Sequence, residues 1–195
     1  MLKKMMLLAV SVAALAAFAI PASASAASTH WTDNDVVVEN GVNITAPFEG
    51  KIQFTAGKST FSCEVTTKIL VVGPTTALVT SFAPTTSSCI GTVAFENCTL
   101  KAHSNNAPWT IVNNDANLTI LKPESKITIK YEFDGTGCLV PSLHLEFSNI
   151  TATPTLNANG TITSIAISGT STTGVVASGS VAPEGTPTLG LVTVP

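Results

Sequence analysis

Few side chains in this sequence are spaced for chemistry. The three histidines are His30, His103 and His144. On a strand, His144 and Glu146 stand two residues apart on one face, where an imidazole and a carboxylate can pair as general base and orienter. The plainer reading is an exposed pair on a polar face. No Gly-x-Ser-x-Gly elbow, His-Glu-x-x-His helix or phosphate loop accompanies them. A hydrolase centred on His144 would have to assemble its nucleophile through space. Asp33-Asn34-Asp35 opens like a calcium loop but lacks the glycine and distal glutamate that complete one, so a surface turn is expected. Glu64 and Glu96 are isolated acids. No catalytic residue is assigned, and no cofactor is implied.

The four cysteines, Cys63, Cys89, Cys98 and Cys138, form no Cys-x-x-Cys pair. That spacing disfavours zinc, and no metal site is assigned. An even count in an exported chain reads as two disulfides, with three pairings open. The favoured pairing is a short bridge Cys89–Cys98 with Cys63–Cys138 crossing the fold. Trp109, in Ala107-Pro108-Trp109-Thr110-Ile111, and Trp31 are the two tryptophans. A core anchor is the expected role for Trp109, and an aromatic platform for a sugar or lipid is the alternative for both. Five Asn-x-Thr triplets begin at Asn43, Asn97, Asn117, Asn149 and Asn159. In a eukaryotic secretory chain they would be glycan acceptors; a chain rich in both residues makes such triplets by chance, which is the expected reading.

Export is the clearest reading. Met1-Leu2-Lys3-Lys4 gives a positive start, Met5 to Ile20 runs without charge, Pro21 breaks the run, and small residues follow to Ala26. This is the signal-peptide order, with cleavage expected after Ala26 and Ala24 as the nearby alternative. The apolar run is short against the roughly 20 residues that a membrane helix needs. Residues 1–26 are thus read as signal peptide and 27–195 as a single domain, secreted or extracytoplasmic, with no integral membrane span after cleavage.

Beyond the leader the chain keeps seven lysines, no arginine and twelve acids, a formal charge of −5. So few cations build no basic patch, and arginine, the bidentate reader of phosphate and guanine, is missing. Nucleic acid is excluded as a partner on that ground. β-Branched residues are many and strong helix formers few, which suits strands.

Period-two alternation marks the positioning elements. Phe61, Cys63, Val65, Thr67 and Ile69 face inward from Thr60 to Ile69, and Ile127, Ile129, Tyr131 and Phe133 from Lys126 to Phe133. Leu143, Leu145 and Phe147 repeat the pattern. Further strands are predicted at 36–44, 49–54, 77–82, 92–100, 108–112, 117–121, 161–169, 174–181 and 188–194. Asn159-Gly160 marks a hairpin. His30 falls in an N-terminal tail, His103 in a polar loop, and 168–185 in a loosely packed terminal hairpin. About ten to twelve short strands predict an all-β, antiparallel β-sandwich or jelly roll. An outer-membrane barrel would also alternate. Two Trp, one Tyr and the seven Phe beyond the leader are too few for its two aromatic girdles.

Taken in order, Trp31-Thr32-Asp33-Asn34, Phe61-Ser62-Cys63, Cys89-Ile90-Gly91-Thr92, Glu96-Asn97-Cys98-Thr99, Ala107-Pro108-Trp109-Thr110 and Gly137-Cys138 resemble a family of small secreted all-β proteins of actinobacteria. The Pro-Trp-Thr step is distantly similar to exported proteins of the alkane-oxidation activator (PraB) type. The first resemblance implies an extracytoplasmic all-β protein and carries over no catalytic residue. The second implies association with hydrophobic substrates or surfaces. The expected function is a non-enzymatic protein of structural or interaction type, self-associating or binding cell-surface components. A binding module for an apolar or carbohydrate ligand is the alternative, and a secreted hydrolase the third.

Overall fold

The computed structural model describes residues 28–114, 117–136 and 138–194. The expected signal peptide lies outside them. The described chain is all-β, with fifteen strands and two single-turn 3-10 segments, Thr86–Ser88 and Val93–Phe95. The strands are β1 Ser28–Asp33, β2 Val36–Val37, β3 Ile44–Ala56, β4 Ser59–Val71, β5 Thr76–Pro84, β6 Ile90–Gly91, β7 Thr99–Asn105 and β8 Trp109–Asn114. The rest are β9 Asn117–Leu121, β10 Ile127–Asp134, β11 Ser142–Phe147, β12 Asn149–Leu156, β13 Ile162–Thr170, β14 Val176–Pro183 and β15 Leu189–Val194.

Eight antiparallel strands follow one another in the order β3-β14-β13-β12-β9-β8-β5-β4, and β3 pairs with β4 to close the ring. The expected sandwich is therefore replaced by a closed barrel flanked by two small sheets. The reason is visible in β3 and β4. Each is thirteen residues long, and they pair along their whole length from Ile44↔Val71 to Ala56↔Ser59. With β3 also paired to β14 along its other edge, the barrel sheet has no free edge at that point. A two-residue loop with Gly57 at φ +60° joins β3 to β4, the backbone sign that tight hairpins favour.

The barrel also needs close approach between β3 and β14. A Cβ on Gly50 would lie 2.0 Å from the Ser180 carbonyl oxygen, and one on Gly179 2.1 Å from that of Lys51. Both glycines occupy inward positions where the two backbones nearly touch. Elsewhere the inward row is mostly apolar, with Ile52, Phe54, Val65, Ile69, Ile111 and Leu118 all buried. The segment expected to be a loose terminal hairpin instead holds the last residues of β13 and all of β14, with Ala177 and Val181 buried in the barrel.

Two small sheets close the mouths. At one end β1 pairs with β15 over six residues and with β2, and the sheet sits on the barrel turns. Trp31 N–H donates to the Pro74 carbonyl, Asn113 Nδ2 to the Thr29 carbonyl at 2.8 Å, and Leu191 N–H to the Gly160 carbonyl at 2.9 Å. His30 thus belongs to a paired strand, not a tail. Below it the predicted Asn159-Gly160 hairpin joins β12 to β13. Asn157 Oδ1 accepts from the N–H groups of both Asn159 and Thr161, and Gly160 takes φ +84°.

At the other end β7-β10-β11 forms a sheet from the two long crossovers, β5 to β8 and β9 to β12. Its inner face carries Tyr131 and Phe133, which pack with Phe54, Phe61 and Phe95 at ring separations of 4.6–6.3 Å. His103, expected in a loop, lies on β7 opposite Tyr131. The predicted strand at 92–100 is instead the second 3-10 turn followed by the start of β7. Barrel and both covering sheets share one continuous apolar core.

Two disulfides brace this second end: Cys63–Cys89 and Cys98–Cys138. The favoured pairing is thereby overturned, because strand register sets it. β6 returns antiparallel to β4 with Ile90↔Ser62, which lays Cys89 beside Cys63. Thr99 pairs with Asp134, so the loop beyond β10 brings Cys138 to Cys98. Two cystines suit an oxidising, extracytoplasmic setting. Among the described residues no helix is long and apolar enough to cross a membrane.

Candidate functional site in the barrel interior

The barrel encloses a cavity of about 50 Å³. All eight barrel strands contribute to its wall, and Ile129 of β10 and Phe147 of β11 reach into it from the covering sheet. Every lining side chain is apolar except Thr67. That threonine is 6 % exposed, and its Oγ1 donates to the Ser81 carbonyl at 2.7 Å, so the hydroxyl is already committed.

Trp109 stands at the cavity's edge at the start of β8, 3 % exposed, with its ring 5.8 Å from that of Phe82. The Ala107–Pro108 peptide before it is cis. Two asparagines hold this corner. Asn105 Nδ2 donates to the Phe82 carbonyl at 2.8 Å, and its Oδ1 accepts from Ala107 N–H at 3.1 Å. Asn106 Oδ1 accepts from Trp109 Nε1 at 2.8 Å and from Thr128 N–H at 3.0 Å, while its Nδ2 donates to the Lys126 carbonyl. Lys122 Nζ donates to the carbonyls of Asn106 and Pro108. The indole is thus fixed in place and its one donor satisfied inside the fold. Neither asparagine is marked out by the sequence alone, where both follow His103 in what reads as a polar loop. An Asn three residues before a buried Trp is the signal that was present.

Trp31, on β1 beside β15 at the opposite end, is fully buried, and it does not line the cavity. The two tryptophans form no common site. Neither ring is presented as a flat platform on the surface.

The histidines are also apart. His30 Nε2 lies 2.8 Å from Ser28 Oγ at the start of β1. His144 on β11 faces Lys130 across the strand pair. Its neighbour Glu146 is engaged by Lys126, with Nζ–Oε2 at 3.1 Å and both side chains well exposed. The hydrogen bond and charge of Lys126 hold the Glu146 carboxyl below its usual range. Burial opposes this, and His144 and Thr172 add lesser lowering effects. Glu146 is therefore ion-paired with Lys126, and His144 acts on it only through its charge. Asp33-Asn34-Asp35 is a turn between β1 and β2, with Asn34 and Asp35 at φ +48° and +65°. Among the described residues no three His, Cys, Asp or Glu side chains converge as a metal cluster would.

No family model, no curated protein and no solved structure matches the chain.

Proposed function

We propose that the chain is an exported, non-catalytic protein of structural or interaction type. The observation that supports it is the form of the particle. A closed barrel buries the inward rows, its own sheets cover both mouths, and cystines tie down one of them. Such a body is built to persist outside the cell and to present its surface. Exposed apolar side chains, among them Ile90, Val93 and Leu139, lie in the segments around the cystines. The first family resemblance agrees with this reading. The test is expression with the leader, followed by intact mass and thiol titration of the exported product. Cleavage after Ala26, no free thiol, and self-association or cell binding are the expected results. Turnover in an unbiased hydrolase screen that vanishes in His144→Ala would replace this reading with the hydrolase.

A second reading, an apolar ligand bound at Trp109, is favoured by the cavity beside that indole, whose lining is apolar but for the committed Thr67. The activator-type resemblance points the same way. A carbohydrate is disfavoured, because a sugar's hydroxyls would find no free partner on these walls.

A further inference from the structure

The cavity has a composition and a size, and together they select a ligand class. Its only side-chain hydroxyl, on Thr67, is spent on the Ser81 carbonyl, and Trp109 Nε1 is spent on Asn106. No titratable side chain lines it. A water there would lack the two to four polar partners it needs. A void of this kind leaves its lining atoms short of dispersion contacts, which an apolar solute of matching size restores. An engineered cavity of roughly 150 Å³ lined by similar residues admits benzene. The present 50 Å³ is a third of that.

We infer that the barrel interior is a binding site for a small, uncharged apolar solute of about two or three heavy atoms, scaled from benzene. A light hydrocarbon or a nonpolar gas has this chemistry. Benzene is excluded until a wall residue is trimmed. The inference rests on the second reading above and narrows it to one size class.

Xenon is the probe. Methyl-resolved NMR spectra of the disulfide-intact protein under xenon pressure should shift the Ile52, Ile111 and Ile165 methyls on the wall. Those of Ile127 and Ile162, buried but off the wall, should not move. Ala152→Leu fills the space and should abolish the shifts. Should that variant fail to fold, Ile150→Ala supplies the converse test. It enlarges the cavity, so benzene should then raise its melting temperature while leaving the parent unchanged. Absence of xenon shifts at the wall of the parent protein, or equal shifts on and off the wall, overturns the inference.

Titration of tryptophan fluorescence with longer alkanes and fatty acids separates the two claims. If those ligands bind and xenon does not, the size assignment falls and the broader reading stands. If xenon binds and they do not, the inference stands and the second reading is confined to that size class. If neither binds, both fall.

Discussion

At the scale of single residues, Tyr131 carries the sharpest consequence. It is the chain's one tyrosine, fully buried on β10 against Phe54, Phe61 and Phe133. Its hydroxyl has no hydrogen-bond partner among the described residues. Burial pushes the phenol's pKa far above its ordinary value near 10, because the anion would sit among aromatic rings. The folded-state value exceeds the unfolded one, so the stabilisation is complete below about pH 10 and is lost as pH climbs further. Tyrosinate absorbance in the near ultraviolet reads this residue alone. It is expected to appear only as the protein unfolds in alkali, and a smooth titration near pH 10 in folded protein would contradict the burial. Tyr131→Phe removes a polar atom that lost its water without gaining a partner. It is expected to raise stability by about 1 kcal/mol in denaturant melts and to flatten the alkaline loss.

At the scale of elements, the barrel depends on the β3–β14 seam. Gly179→Ala sets a methyl against the Lys51 carbonyl and the Ile52 Cα, neither of which is a side chain that can swing away. A cost of at least about 2 kcal/mol is expected by denaturant melt. The comparison is Gly185→Ala, where the space is open and only the left-handed backbone at φ +82° resists, at about 1 kcal/mol. The cystines make a second prediction. Cys63–Cys89 closes 26 residues and Cys98–Cys138 closes 40. In the chain-entropy model these contribute about 3.5 and about 4 kcal/mol. Replacing either pair with alanine should lower stability by a comparable amount, and peptide mapping of unreduced protein should recover these two linkages. The sequence carried the strands of β4 and β10 clearly, because strict alternation there coincides with burial on one face. It did not carry the cystine pairing. Sequence proximity favoured Cys89–Cys98, whereas the register of β6 on β4 decides the matter, and a two-residue strand leaves no periodic trace. Ring closure was hidden for the same reason. β3 and β14 are far apart in sequence, and period two reads alike in a sandwich and in a barrel. Trp109 was legible as a core anchor; the cavity beside it was not, since a void arises from strands that alternate like any others.

At the scale of the whole molecule, the distribution of polarity around the barrel decides which solvent it suits. A membrane barrel turns apolar side chains outward and polar ones inward. Here the rows are reversed. Phe48, Ile52, Val65 and Ile69 point in, while Glu49, Lys51, Glu64 and Lys68 are exposed on the outside of β3 and β4. β12 and β14 add exposed Thr151, Thr153, Ser178 and Ser180. Placing either lysine at a bilayer midplane would cost about 2–4 kcal/mol. The disulfide-intact protein is therefore expected to stay in the aqueous fraction when floated with neutral lipid vesicles. Its protease sensitivity should also be unchanged by them. Stable flotation with vesicles, together with protection of β3 and β4 from protease, would mean that the barrel turns itself inside out in lipid, against the side-chain order that folds it. The same order accounts for the small apolar cavity: a ring whose inward row is almost entirely hydrocarbon excludes water from its centre, and any space its side chains leave unfilled is open only to solutes that need no hydrogen bond.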